Sequence, residues 1–513
     1  ILEGHRSRTA IRVQARLALL LGEPATAETH FGELTRRYPN DTEALLDLAG
    51  AQAGRGEVAR AVETLKQVTA IDHQDPRAWF LLGRNTVLMG DSRRAVNDYL
   101  VRALALQRQL RNEQGQSDAL NAMGVAYHQL GDYPRALEHY SESAAMRQRL
   151  GDDRGTATSL KNRARIFMAT SRLTEAAPDL EVARAIYERI GDRNGLADVM
   201  NDVGVLLERR GQYDEALRSY QSALAIRRGL GDQRLLAQSQ DNVGYIYYVQ
   251  GEYDNAAVYW KEALSLRQTI GDKGGVIVSM QNVGFLQTAQ GRWTEALKSF
   301  LDTLERSREI DFANAMAVSY GNVGILQHYQ GRHAAALRSF DEALAILAEL
   351  GDKRGIVEFT LKQAAVLLDL GQLDDARKKL DAAEPLLEET SNREQWSDYW
   401  VLGAEWSARR GEASAARRGF ERALAEAAAS HSRPALLRAR VARSASAART
   451  GRSSSARSCS ATRASITGSS TGSRRARSPP SSAARSSVVS RTSRAATARK
   501  AASLCGTVTL PPT

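Results

Sequence analysis

The chain has 513 residues, too many for one compact core, with 43% hydrophobic and 25% charged side chains, an ordinary soluble composition. Its net charge of +11 averages two unlike parts: the last acidic residue is Glu426, residues 427–513 hold fifteen Arg and one Lys, and residues 1–426 sum to −5. The high isoelectric point is therefore no argument for nucleic-acid binding by the body. Both cysteines, Cys459 and Cys505, lie in the basic end, which excludes a disulfide framework or a Cys-based zinc site before it and suits a reducing, cytoplasmic compartment. No run approaches the ~18 apolar residues of a membrane span. Residue 1 is Ile, so the expectation is a fragment of a longer chain.

Taken in chain order, a turn of the form Gly-[Asp/Glu/Gln/Arg]-x recurs at Gly22, Gly56 and Gly90, then at Gly131, Ser171, Gly211, Gly251, Gly291, Gly331, Gly371 and Gly411. The first steps are 34 residues, the step from Gly90 to Gly131 is 41, and every later step is 40. Five residues after each turn stands an alanine, from Ala27 to Ala416. Nine after it stands a large apolar residue: Phe31, Leu65, Tyr99, Tyr140, Leu180, Tyr220, Trp260, Phe300, Phe340, Leu380 and Phe420. Seven before it stands Gly or Ala, among them Gly83, Gly124, Gly204, Gly244, Gly284 and Gly324. These columns predict two packed helices per repeat, A before the turn and B after it. The small residues let the helices approach, and the large residue, four after the alanine and on the same face, fills the seam. The turn glycine reverses the chain without a Cβ penalty. One hairpin cannot bury both its faces, so each stacks on the next.

The small–turn–Ala–aromatic order, and Trp79-Phe80-Leu81-Leu82-Gly83 in the third repeat, resemble the tetratricopeptide family over residues ~8–430. The resemblance implies an all-α, right-handed α-solenoid of about eleven helix-turn-helix repeats. Residues 1–107 hold three 34-residue repeats, the first incomplete, and residues 108–430 hold eight of 40 residues. The longer repeats add a second element: Leu150-Gly151-Asp152, Ile190-Gly191-Asp192, Leu230-Gly231-Asp232, Ile270-Gly271-Asp272 and Leu350-Gly351-Asp352. Glycine stops one helix there and Asp can cap the next. Ile310-Asp311 loses the glycine. This form is similar to Pins/LGN-type scaffolds, kinesin light chains and bacterial Rap-type peptide receptors.

Two residues before the small position of helix A runs a polar ladder: Asn162, Asp202, Asn242, Asn282, Asn322 and Lys362. The resemblance places this face on a concave groove and gives Asn162, Asn242, Asn282 and Asn322 the role of clamping a ligand backbone, with Asp202 and Lys362 departing from the pattern. A carboxamide donates to a peptide C=O and accepts from its N–H at once, and each net bond contributes about 1 kcal/mol. Arg165, Arg209, Tyr245, Tyr248, Phe285 and His328 lie near the ladder on the same face and would supply side-chain selectivity. The competing reading is that the ladder only caps or bridges neighbouring helices.

No catalytic constellation stands out, and the chain is read as no enzyme, with no cofactor and no metal site. Gly271-Asp272-Lys273-Gly274-Gly275 is a repeat junction, Gly54-Arg55-Gly56 lacks a third glycine and a preceding strand, and no His-Glu-x-x-His occurs. Gly468-Ser469-Ser470-Thr471-Gly472 matches a hydrolase elbow, but in Ser/Gly-rich sequence with no strand before it. The expected function is a protein-interaction scaffold that binds an extended peptide or partner protein in the groove. The alternative is the sensory arm of a larger bacterial-type Ser/Thr kinase or transcription regulator.

Residues 431–513 change to Ser, Arg, Ala, Thr and Gly, too few apolar side chains to offset chain entropy, so a disordered tail is expected. It reads as a basic segment for nucleic acid or anionic membrane, a phosphorylated Ser/Arg linker, or a frame-shifted translation of GC-rich DNA. The abrupt change after Pro434–Arg440, itself the start of another helix A, favours the last.

Overall fold

The computed structural model describes residues 7–390, 392–430 and 435–447. All secondary structure among them is helical. The fold divides into two units, Ile1–Asp202 and Val203–Thr513, with the boundary inside one helix.

In the first unit the A and B helices pair as Arg8–Leu20 with Pro24–Arg37, Thr42–Gly54 with Val58–Ile71, and Pro76–Leu88 with a helix running from Ser92 to Gln109. Then come Glu113–Gln129 with Tyr133–Leu150, and Asp153–Ala169 with Leu173–Ile190. Helix A of repeat 6, Arg193–Arg209, straddles the boundary. The second unit continues with Tyr213–Leu230, then Gln233–Gln250 with Tyr253–Thr269, Lys273–Ala289 with Trp293–Glu309, and Ala313–Tyr329 with His333–Leu350. It closes on Lys353–Asp369 with Leu373–Thr390 and Arg393–Arg409 with Ala413–Ala429.

The columns have direct physical meaning. A Cβ built on Gly124 would lie 2.6 Å from the Tyr140 ring, and one on Gly284 2.7 Å from Phe300. The same close approach joins Gly204 to Tyr220, Gly244 to Trp260 and Gly324 to Phe340. The hydrophobic clusters are correspondingly local, each shared by neighbouring hairpins, as a stacked repeat requires. All eleven A–B turns take a left-handed residue, ten of them glycine and one Ser171, at φ 59°. At the B–A junctions Asp311, where glycine is lost, holds the same conformation at φ 53°. The junction aspartates cap as expected: Asp152, Asp232, Asp272 and Asp352 each accept a backbone N–H three residues on, at 2.8–3.1 Å.

One column entry is corrected. Residues Ala95–Leu100 form a π-helical turn inside helix B of repeat 3. It absorbs the extra residue of the 41-residue step and advances the register by one. Leu100, not Tyr99, lies over Gly83, while Tyr99 tilts toward Trp79 with ring centroids 6.1 Å apart.

Buried arginines staple the end of helix B to the next helix A. The Arg147 guanidinium donates to Gly155 O at 2.9 Å, and that of Arg267 to Gly275 O at 3.0 Å and Ser279 Oγ at 2.7 Å. Arg227 repeats the device with Ser239 Oγ at 2.9 Å.

Residues 435–447, which composition assigns to the tail, are helical. Ala435 and Ala439 are fully buried, and Arg438 pairs with Asp398, one 40-residue step earlier, at 3.0 Å. A stripe of small residues suffices to seat this segment on repeat 11 despite its Arg/Ser/Ala composition. The remainder of the tail, including the hydrolase-like Gly468–Gly472 and both cysteines, lies outside the described residues.

Candidate peptide-binding face on the A helices

The ladder positions lie on the side of helix A that meets the preceding helix A, where a polar group shut away from water must find a partner. In the first unit, Asn162 Nδ2 donates to Asn121 Oδ1 at 3.3 Å, on the preceding helix A. Asp202 is buried and accepts from Arg165 Nε at 2.8 Å. Burial, with the Arg165 charge adding to it, pushes the neighbouring His128 imidazole down to about 4. Arg165 and Asp202 are thus brought together as an ion pair.

In the second unit, Asn282 is buried and its Nδ2 donates to Asp241 Oδ1 at 3.1 Å. Burial pushes the Asp241 carboxyl up to about 6, with Arg267 and Asn282 pulling against it. Asn322, also buried, bonds Val318 O of its own helix at 2.8 Å. Asn242 and Lys362 are half-buried. The bridging reading therefore describes Asn162 and Asn282, whose amides hold neighbouring A helices together, and Asn322 is held within one helix.

The remaining predicted residues keep partial solvent access. Tyr245 and Tyr248 lie 6.4 Å apart, and Tyr248 leans on Trp260 at 5.5 Å. Phe285 meets Phe300 edge-on at 5.4 Å. His328 Nε2 lies 3.1 Å from Asp369 Oδ2, and that carboxylate also pairs with Arg409 at 2.9 Å.

Arg209 belongs to a cluster that the sequence columns do not reveal. Burial and the Arg354 guanidinium lower its pKa, and Glu394 and Glu208 oppose them. Burial pushes the Glu208 carboxyl up to about 7, although Tyr220 Oη donates to it at 2.9 Å; Arg209 pulls it down and Glu394 pushes it further up. Burial foremost, then Glu208, Tyr213 and Glu394, raises the Tyr245 phenol. Glu208 and Arg209, at the end of helix A in repeat 6, are thus coupled electrostatically to Arg354 and Glu394, at the starts of helices A in repeats 10 and 11. All of these groups keep some contact with water. Spacing could not have found Arg354 and Glu394, which stand more than 140 residues from Arg209; Glu208 could have been found, since it shares its column with Tyr248 and His328.

Stacked helical hairpins with small-to-large seams and left-handed turns define an all-helical repeat protein among the described residues. The Tetratricopeptide repeat model matches residues 18–84, 115–189, 155–229, 233–309 and 276–349, and the chain belongs to that family. A Rap protein solved in complex with Competence and Sporulation Factor is similar in fold, with a TM-score of 0.50 and 14% identity over 76% of this chain and 100% of its own. BtubC (BKLC) from P. vanneervenii gives 0.36 and 23% over 42% and 90% of the two chains. MamA gives 0.30 and 21% over 36% and 94%. No curated protein matches. Among the described residues no helix is long and apolar enough to cross a membrane, and no group of three or more His, Cys, Asp or Glu is placed to hold a metal.

Proposed function

We propose that this chain is a protein-interaction scaffold that holds an extended segment of a partner protein against the A helices of residues 203–430. The observation that carries the reading is the Tyr245/Tyr248/Phe285 run beside the Glu208–Arg209 and Arg354–Glu394 cluster. Aromatic anchors in reach of water, next to partly desolvated charges, are what binding hot spots are made of. In this reading half-buried Asn242 meets the ligand backbone, and Lys362, which departs from the Asn pattern, can only donate. Asn162 and Asn282 contribute by holding neighbouring A helices together.

The test is affinity capture from the native host with the wild-type chain, against Tyr245→Ala/Phe285→Ala and Arg209→Glu variants, each checked for unchanged helicity. Capture of one partner by the wild type, lost in both variants, is expected. Equal capture by all three would overturn the reading.

A further inference from the structure

Of the helices A in repeats 1–11, ten open on a polar side chain, from Ser7 to Asn392, that accepts a bond from the first turn. Helix Ala313–Tyr329 of repeat 9 does not: Phe312 stands at its cap and makes no capping bond. Two further devices are lost at the same junction. At three others the capping side chain also bridges to the second residue of the preceding helix A. Asp152 accepts from Gln114 at 3.2 Å, Asp192 pairs with Arg154 at 2.8 Å and Asp272 with Arg234 at 3.8 Å. In repeat 8 that second residue is Gly274, and the Phe312 ring lies 3.8 Å from where its Cβ would stand. Asp311 holds φ 53° in place of a glycine. Arg111 is the comparable residue of an earlier junction, at φ 54°, but Asn112 beside it caps Gly115 N at 3.2 Å. Among the described junctions, only that between repeats 8 and 9 combines these losses.

A first turn without a cap leaves its N–H groups to water, and a left-handed residue other than glycine is strained. Unwinding the turn relieves the strain and loses no cap, so local opening is favoured there over the other junctions. Deeper in the same seam the packing is intact. Gln281 is buried, and its amide donates to Ala315 O and Ser319 Oγ, both at 3.2 Å. Phe300 packs with Val323 and Leu326. A weak rim over a firm seam has the form of a hinge: a few residues at the end of an element absorb the backbone change, and the packed side chains serve as the pivot.

We propose that residues 310–316 are a hinge at which repeats 9–11 pivot on repeats 6–8. It divides the segment to which the partner is assigned, yet it exists in the free chain. The missing cap and the left-handed Asp311 each favour the open form several-fold, so the first-turn amides of this helix should exchange at least ~10-fold faster than those of the other helices A.

The experiment is hydrogen exchange of the full chain, joined to spin-label distances. Exposed Arg218, Lys298 and Lys378 hold the same place in helix B of repeats 6, 8 and 10. Labels on Lys298→Cys with Lys378→Cys span the hinge. Labels on Arg218→Cys with Lys298→Cys span as many seams without it. Both pairs carry Cys459→Ser and Cys505→Ser. The expected result is fast exchange at 313–316 and a broader distance distribution for the pair that spans the hinge. Asp311→Gly with Phe312→Asp rebuilds the Gly-Asp junction, and should slow that exchange at least ~10-fold and narrow the distribution to that of the control pair. Exchange at 313–316 no faster than at other first turns, or equal distributions in the two pairs, overturns the hinge. Fast exchange that persists in the rebuilt chain, shown folded by circular dichroism, also overturns it.

Discussion

Asn282 donates its amide to the Asp241 carboxylate at 3.1 Å across the seam between consecutive A helices, and Arg267 closes on the same carboxylate at 2.6 Å. All three side chains are buried. Asn282→Ala removes a donor from a buried carboxylate, which costs roughly 1–3 kcal/mol. The expected outcome is a lower urea midpoint, and a larger drop for Asn282→Asp, which sets a second carboxylate against Asp241. An unchanged midpoint in both variants would contradict the bridging role.

Glu208 predicts a pH dependence of stability. Its carboxyl titrates at about 7 in the folded chain against an ordinary 4.5. Between those values the folded state holds a proton that the unfolded chain releases, so stability falls as pH rises from 4.5 to 7 and the full loss persists above it. Asp241, raised to about 6 from 3.8, acts with the same sign at lower pH. Glu208→Gln, still able to accept from Tyr220, should raise the thermal midpoint at pH 8 and leave it nearly unchanged below pH 4.5. The gain is up to about 3 kcal/mol. An equal shift at both pH values would show that ionisation of Glu208 is not the cause.

The seam pairs predict a compensated exchange. A methyl on Gly284 meets the Phe300 ring at 2.7 Å, so Gly284→Ala should cost roughly 1–3 kcal/mol through overpacking. Where the small residue is Ala164 or Ala364, the partner column holds Leu180 or Leu380. Adding Phe300→Leu to Gly284→Ala should therefore recover most of the loss in a double-mutant cycle. Additive losses would show that the two side chains do not share the seam.

Asp311 sits at φ 53° where five other junctions of the long repeats place glycine. Asp311→Gly relieves the left-handed strain while loosening the unfolded chain, for a net gain of about 0.5–1 kcal/mol. Calorimetry of the variant should show a higher midpoint. A lower one would mean that the Asp311 side chain contributes more than its backbone costs.

The hairpins were legible because their determinants are local. A helix places residues three and four apart on one face, and each alanine, turn glycine and seam aromatic states its role within some forty residues. Tyr99 was misread for a reason equally physical. A π turn moves every later side chain by one position, and only the odd step from Gly90 to Gly131 hints at it. The ladder was legible as a polar column, but its bonds were not: an Asn that clamps a ligand and one that clamps the next helix have the same letter and the same spacing.

By itself the sequence determined the all-helical class, the number and length of the repeats, the turn and cap chemistry, and the separation of an acidic body from a basic end. Tertiary structure alone decided that Asn282 is spent on Asp241 and that Arg209 is coupled to Arg354 and Glu394. These relationships depend on how each hairpin is seated against the next. A small rotation per repeat accumulates along a stack, and no local pattern of residues records that sum.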